Sequence, residues 1–407
     1  MIKVVERYTP MTLEKFLYDK SRKTTPFSPV FFNLAREKDF IALKQLINRG
    51  AILRVSDDYN EELREYFAIK HPKIALNKVI LETKSAAYLK KLTAKRPLWR
   101  QGRWVYFPWS GALAHILEEP AFYAVRTARN RELITPEEQK KFYNSVVGIA
   151  GLSVGNSIAL AIVLQGGARH IKLADHDRLA LSNLNRIRSS VGELGAPKIE
   201  LTARQVYELN PYAKVKLFSD GLNQKNIKAF FSGGKKLDIV IDEIDNLAVK
   251  YLIREEARKN CIAVVMGADN GNNAVVDIER YDLDPKTPFF HGRMGEVSYE
   301  MLAGLDKMGI GRMITKHIGP ENVSERMLES LMAIGKTIVS WPQLGGAALM
   351  NGSAVAYVVH RILAGQSIEE NRAIISLDEK LDPEHNTPAH RAAQEKAAAS
   401  LRKVFKI

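Results

Sequence analysis

Residues 145–198 read SVVGIAGLSVGNSIALAIVLQGGARHIKLADHDRLALSNLNRIRSSVGELGAPK. An apolar, β-branched run opens the stretch, breaks at Gly148 and Gly151, and continues from Asn156 to Leu164 with apolar residues at helical spacing. That is the pattern of strand, tight turn and helix. A second strand follows over 170–174 and ends on Asp175. Together they form the first βαβ unit of a doubly wound fold. The turn between strand and helix is where such folds hold phosphate, because free backbone N–H groups and the helix dipole point at the anion. Asp175 lies about 20 residues past the turn, the usual place for a carboxylate that accepts ribose hydroxyls.

The glycine pattern is degenerate. It runs Gly148-Ile149-Ala150-Gly151-Leu152-Ser153, so Ala150 and Ser153 stand where GxGxxG has its second and third glycines. Both are small, and close approach of a phosphate at Gly148, Gly151 and Ser153 survives. Further motifs follow in order: Asp175-His176-Asp177, Ser182-Asn183-Leu184-Asn185-Arg186, Gly195-Ala196-Pro197-Lys198, and Asp242-Glu243-Ile244-Asp245-Asn246 after another apolar run. This succession resembles the adenylating domain of the ThiF/MoeB and ubiquitin-activating-enzyme superfamily, over residues 129–282.

The chain has 407 residues, 46% of them hydrophobic, enough for a large core and two or more domains. Its single cysteine excludes internal disulfides and four-cysteine zinc sites. The N-terminus runs straight into charged sequence, unlike a signal peptide. No uncharged run of membrane-spanning length is expected, and the reading is cytoplasmic, with no membrane partner. A formal net charge of +14 admits a polyanionic partner such as RNA, an acidic peptide or a membrane surface, without choosing among them.

Residues 1–120 carry no assignable motif and read as a smaller N-terminal domain suited to substrate recognition. Helices are expected at 12–21, 39–48 and 61–69. Between Tyr88 and Tyr106 stand Lys90, Lys91, Lys95, Arg96, Arg100 and Arg103, interleaved with Trp99 and Trp104. Such a stretch can stack bases and hold phosphates, or can be a solvated face with its tryptophans packed on a neighbouring domain. Residues 102–107 read as a strand that Pro108 ends. Thr135-Pro136 is a helix start, with Thr135 as N-cap and Pro136 at the first helical position.

Helix, strand, helix, strand, helix and strand are expected in turn at 199–209, 214–218, 225–231, 237–242, 247–259 and 261–266, the alternation a parallel sheet demands. In that reading Cys261 begins an apolar strand and is a small core residue. Pro285, Pro288, Gly292 and Gly295 then break the rhythm, leaving short helices near 299–306 and 324–332. The domain reading is 121–284 with 341–380 as a doubly wound, mostly parallel α/β adenylation domain, 285–340 as an insertion or lid, and 381–407 as a tail with a loose helix. The small-residue stretch at 341–364 suits a close-packed helix in the core or at a subunit contact.

The resemblance implies an ATP-dependent adenylyltransferase. Arg186 and Lys198 supply cations for the phosphates, Asp245 holds magnesium, Asp175 fixes the ribose, Asn183 bonds phosphate or ribose, and Asp177 orients the loop of Arg186. It also implies a homodimer, in which Arg131 matches the arginine that reaches the partner's triphosphate. The substrate is a carboxylate on a small protein, a peptide, a metabolite or a modified RNA base. Neither the reactive cysteine of the conjugating members nor paired CxxC motifs are present, so no enzyme thioester is expected. Two other readings remain: an NAD-dependent oxidoreductase, which uses Asp175 but leaves Arg186, Lys198 and Asp245 idle, and a non-catalytic nucleotide-binding protein.

Overall fold

A computed structural model describes residues 26–407, and the helix expected at 12–21 lies outside them. The chain divides into two units, Met1–Val125 and Arg126–Ile407.

The first unit is built on a four-stranded sheet ordered β1-β3-β4-β2, with β1 Val30–Phe32, β2 Arg54–Asp57, β3 Arg103–Phe107 and β4 Ala112–Ile116. Helix Glu37–Asn48 closes a core of Phe32, Leu34, Leu43, Trp104, Tyr106 and Leu113. Helices Tyr59–Lys70 and Lys78–Lys95 gather Tyr59, Leu63, Leu89 and Leu117 into a second cluster. Asn77 caps the start of Lys78–Lys95 by accepting the Ile80 N–H. His115 lies between the rings of Tyr59 and Trp104, with centroids 4.1 and 4.4 Å away.

The second unit contains a seven-stranded sheet ordered β11-β10-β9-β8-β5-β6-β7. Its strands are β5 Val146–Ala150, β6 His170–Ala174, β7 Lys214–Phe218, β8 Ile239–Asp242, β9 Ala263–Asn270, β10 Asn273–Glu279 and β11 Asn371–Ile375. The five strands from β9 to β7 are parallel, whereas β10 and β11 add antiparallel pairs at one edge. The doubly wound, mostly parallel reading is therefore correct. Chain order reverses between β5 and β8, which opens a crevice at their carboxyl ends.

Helix Val154–Leu164 is buried nearly all round. Helix Gly345–Ala364 packs on it so closely that a Cβ on Gly352 would lie 2.9 Å from the Ser157 carbonyl oxygen. Phe230 and Phe231 of helix Ile227–Ser232 join Leu252, Ile253 and Ala257 of helix Leu247–Asn260 in another core cluster. Thr135 and Glu138 form a reciprocal capping box at the start of helix Pro136–Asn144, as the Thr-Pro signal implied.

Four expectations need correction. Cys261 does not begin a strand: it is the exposed C-cap of helix Leu247–Asn260 at φ +52°, and β9 starts two residues later. An apolar run beside it reads the same locally whether the strand begins at 261 or 263. The tail is not loose, because helix Pro388–Phe405 buries Ala398 and Leu401 against Met327 and Leu328 of helix Glu325–Ala333. A third helix, Lys307–Ile318, joins the two expected in 285–340, with Asp306 as its N-cap. Finally, residues 337–360 carry no Asp, Glu, Lys or Arg. By length and composition helix Gly345–Ala364 could cross a membrane, and 50% of that window is buried inside the fold.

In the first unit, burial outweighs the Leu117 N–H donor and raises the Glu62 carboxyl from 4.5 to about 7. A folded pKa above the unfolded one gives stability that is complete below about pH 4.5 and lost as pH rises through about 7. Glu62→Gln keeps an acceptor for Leu117 and has no proton to lose. Relative to the parent, this variant should gain stability between pH 5 and pH 8, read from denaturant midpoints by tryptophan fluorescence, since three of the four tryptophans (Trp99, Trp104, Trp109) lie in this unit. A parallel pH response of the two chains would refute the assignment.

Candidate active site

β5 delivers the chain to Gly151, whose φ is +86° and whose N–H donates to the Ala174 carbonyl at 2.8 Å. A Cβ there would lie 2.3 Å from the Glu243 carbonyl oxygen, so only glycine lets the two strand ends meet. The next N–H, of Leu152, donates to Asp175 Oδ2 at 2.7 Å, and the Asp177 N–H donates to Asp175 Oδ1 at 2.7 Å. Asp175 thus fastens the turn after β5 to the loop after β6. Burial lifts its carboxyl above the ordinary range despite both donors and nearby Lys198.

Gly148 does something other than expected. It lies in mid-strand, where a Cβ would come within 2.6 Å of Leu237 and 2.9 Å of Phe230, so its smallness serves packing and not phosphate approach. The turn glycine is Gly151. Ser153 occupies the N-cap position of helix Val154–Leu164, and its Oγ accepts from Arg186 Nε at 3.0 Å.

Arg186 also donates through Nη1 to the Ser182 carbonyl at 3.3 Å and to Asn185 Oδ1 at 2.9 Å. Its nearest negative charges are Asp269 and Asp245, which act on it without a direct bond. Lys198 begins helix Lys198–Leu209 with a buried side chain, and its Nζ meets Asp177 Oδ2 at 2.9 Å. That bond, ahead of burial, holds the Asp177 carboxyl below the usual range. Asn183 is spent locally: its Oδ1 accepts the Ala180 N–H in the short turn Leu181–Asn183. Asp245 is exposed just before the Asn246 cap of helix Leu247–Asn260. The structure therefore groups Gly151, Ser153, Asp175, Asp177, Arg186 and Lys198 along the carboxyl ends of β5 and β6, with Asp245 past β8. Arg131 is exposed after the short helix Ala128–Asn130 and shares no hydrogen bond or ion pair with them among the described residues.

Four further residues join this edge. Glu243 accepts the Gly267 N–H at 2.7 Å and lies beneath the turn, where burial raises its carboxyl well above the ordinary value. Asp269, near the end of β9, accepts from Asn351 Nδ2 at 2.7 Å and from Gln343 Nε2 at 3.4 Å. Gln343 in turn accepts through its backbone carbonyl from Asn185 Nδ2 at 2.7 Å, so a continuous chain of bonds runs from Asn351 to Arg186 and Ser153. A carboxylate closing an apolar strand was the signal for Asp269, as for Asp175. It is missed when β9 is ended at Gly267. Between Ser182, Asn185 and Arg186 on one side and residues 337–344 on the other lies a cleft of about 440 Å³.

The chain is similar to known proteins. Residues 127–312 match the ThiF family. The chain carries a ThiF family domain. It is 36% identical over 280 residues to an uncharacterized protein of Mycobacterium tuberculosis, covering 69% of this chain and 38% of that one. To the tRNA threonylcarbamoyladenosine dehydratase of Bacillus subtilis it is 28% identical over 165 residues, 39% of this chain and 64% of the relative. The sulfur carrier protein adenylyltransferase of Thermus thermophilus is 26% identical over 166 residues, 40% and 57% of the two chains. The chain spans less than two thirds of the length of each of these relatives. Among solved structures, Escherichia coli MccB with ATP aligns at a TM-score of 0.41 and 16% identity, over 57% of this chain and 60% of that one.

If the ThiF domain's turn depends on backbone contact, Gly151→Ala should cost about 1–3 kcal/mol through the clash and the left-handed backbone. Gly155→Ala, whose Cβ would meet no atom nearer than Ile149 Cγ2 at 3.1 Å and whose backbone is an ordinary helical one, should cost clearly less. Denaturant midpoints of the two variants decide it, and equal losses would show that the turn has room.

Proposed function

We propose that this chain is an ATP-dependent adenylyltransferase that activates a carboxylate as an acyl adenylate, without forming an enzyme thioester. One observation carries the reading: two cations, Arg186 and Lys198, and the anchored turn at Gly151 to Ser153 converge where helix Val154–Leu164 begins, at the switch point of the ThiF domain. Adenylation joins a carboxylate oxygen to the α-phosphorus of ATP and expels pyrophosphate. Such a reaction needs positioning and positive charge more than covalent help from the protein.

In this reading Asp175 and the turn orient the nucleoside, while Arg186 and Lys198 stabilise phosphate charge as it shifts toward the leaving group. The described residues hold no group of three or more acidic, histidine or cysteine side chains ready to bind a metal. Asp245, an exposed carboxylate, fits magnesium, a hard ion that takes one or two carboxylates and fills its shell with water and phosphate oxygens. When bound, that ion would neutralise phosphate charge. Cys261 precedes β9 and so lies on the opposite edge of the sheet, about 17 Å along the strand direction from the level of Asp242. That supports direct transfer of the acyl group to an external nucleophile. The substrate class comprises peptide or small-protein C-termini and carboxyls on a metabolite or a modified RNA base, in keeping with the names of the relatives.

Calorimetric titration should give binding of ATP-magnesium and none of NAD, and pyrophosphate exchange with candidate acids should report turnover. Lys198→Ala should weaken ATP by roughly 1.5–3 kcal/mol, the worth of a hydrogen bond to a charged group. Cys261→Ala should exchange at the parental rate. Full binding and turnover in Lys198→Ala would refute the site, and loss of exchange in folded Cys261→Ala would refute the absence of a thioester.

The reading extends to a homodimer in which Arg131 reaches the partner's triphosphate. Its neighbour Asn130 bonds the Gln165 carbonyl, at the end of helix Val154–Leu164 away from the turn, and this supports a role in trans. Mixing Arg131→Ala with Lys198→Ala chains should then restore part of the activity, because one site of each mixed dimer keeps both cations. Failure of rescue after demonstrated subunit exchange, or an active monomer by light scattering, would reject it.

A further inference from the structure

The first unit concentrates charge in one place. Residues 70–103 contain ten lysines and arginines against a single acid, Glu82, an excess of nine positive charges in a chain whose formal net charge is +14. Arg103 pairs with Glu118, but most of this excess is uncompensated locally. Lys73, Lys78, Lys84, Lys90, Lys91, Lys95 and Arg96 are all exposed, and none has an ion-pair partner among the described residues. Lys84, Lys91 and Lys95 fall within about 40° of one another on helix Lys78–Lys95, roughly 10 and 6 Å apart along its axis, and so form one stripe.

At the C-terminal end of that helix the charge meets an aromatic platform. Trp99 is 46% exposed. Its backbone carbonyl accepts from Trp104 Nε1 at 2.9 Å, and the Arg100 guanidinium stacks 5.3 Å from its ring. A half-open indole flanked by cations is what a base can stack on while its phosphates are neutralised.

We infer that this surface, the stripe of Lys84, Lys91 and Lys95 continuing to Arg96 and Trp99, binds a single strand of RNA. A lipid surface is the competing polyanion, and the exposed Leu76, Val79 and Ile80 at the other end of the helix would suit it. The balance favours the nucleic acid. Six of the ten cations lie within residues 90–103 beside Trp99, whereas the aliphatic end has the other four, Lys70, Lys73, Lys78 and Lys84, spread over fifteen residues around it. A membrane would call for the reverse distribution. The inference does not rest on the adenylation reading.

The test uses the full chain and a fluorescent single-stranded RNA of about 20 nucleotides and mixed sequence, titrated over a range of salt. The parent should bind with an affinity that falls steeply as salt rises. Lys84→Glu/Lys91→Glu/Lys95→Glu should bind at least about tenfold more weakly and show a log–log salt slope shallower by about 2, the release expected for three phosphates on a single strand. Trp99→Ala should weaken binding further at constant slope, since stacking carries no counterion. A control of equal charge change on exposed lysines elsewhere, Lys307→Glu/Lys396→Glu/Lys403→Glu, should retain most of the affinity. Should the reversal variant fail to fold by circular dichroism, Lys84→Gln/Lys91→Gln/Lys95→Gln decides the matter with a smaller loss of the same kind. Parental binding that is absent, unchanged in the stripe variants, or reduced equally by the control would overturn the inference. So would binding to phosphatidylserine-containing vesicles without binding to RNA. Calorimetry with ATP-magnesium on the same samples separates the two proposals: RNA binding without nucleotide binding rejects the adenylation reading and leaves this one standing.

Discussion

The contact on which the second unit depends is backbone on backbone: Gly151 against the carbonyl of Glu243. β5 and β8 are neighbours in the sheet, but the chain leaves them in opposite directions, and at their carboxyl ends two loops must share one crevice. Any side chain on Gly151 would push those loops apart. With none, the turn lies flat, Leu152 reaches Asp175, and helix Val154–Leu164 starts with its amino end facing the crevice. The direction of that helix then decides where Ser153 Oγ lies, and through it where the Arg186 guanidinium rests.

Holding the β8 side of this contact in place falls to charges buried behind it. Arg254 is wholly buried between Asp242 and Glu279, at 2.6 and 2.8 Å, with its guanidinium 3.9 Å from the Phe290 ring. Tyr281 and the Phe290 N–H complete the shell of Glu279, each at 2.7 Å. Two residues away on the same face of β10, Asp277 takes a two-pronged bond from Arg372 of β11, 2.7 Å at each prong, and faces His317. Burial alone would raise the Asp277 carboxyl, but His317 and Arg372 outweigh it and keep it well below its usual range. Replacing such a cluster by packed apolar residues can be nearly neutral, whereas removing one member strands a charge at a cost of about 3–5 kcal/mol. The antiparallel strands β10 and β11 are therefore tied to β8 and to helix Lys307–Ile318 by buried ion pairs and by Arg372, which donates to the His317 and Ile318 carbonyls.

Much of this unit was legible because its strands are buried on both faces and announce themselves as short apolar runs. β6 and β7 begin and end where the residues predict. Three features were not legible, each for a physical reason. Whether Cys261 begins a strand or caps a helix depends on a single left-handed φ, which an apolar run does not encode. Asp269 and Asn351 stand 82 residues apart, and nothing local in either pairs them. Gly148 and Gly151 look alike in a motif, yet one faces Phe230 in mid-strand and the other turns the chain. In the first unit, β2 is exposed along its length and reads as polar loop until its parallel pairing with β4 is seen. The basic stretch that begins near Tyr88 was visible from composition, but only the fold shows that its lysines share a helix face while Trp99 and Trp104 play different parts, one half open and one buried.

The two cations of the proposed site are not equivalent before any ligand arrives, and in that proposal this shapes how a triphosphate would meet them. Lys198 already faces a carboxylate, Asp177, so an incoming phosphate must compete with or share that partner. Arg186 is held only by neutral oxygens, those of Ser153, Ser182 and Asn185, and its charge is offset only at a distance by Asp245 and Asp269. A guanidinium fixed by neutral acceptors keeps its field while losing its freedom, which is the preorganised state that favours a developing anion over solvent. In the proposed reaction Arg186 would thus be the stronger attractor on first encounter. Lys198, whose ammonium can turn from Asp177 toward a phosphate on a flexible stem, is the cation better suited to follow charge as it moves. In the proposed reaction that division of labour would place Arg186 on phosphate bound throughout and Lys198 on the oxygens whose charge changes.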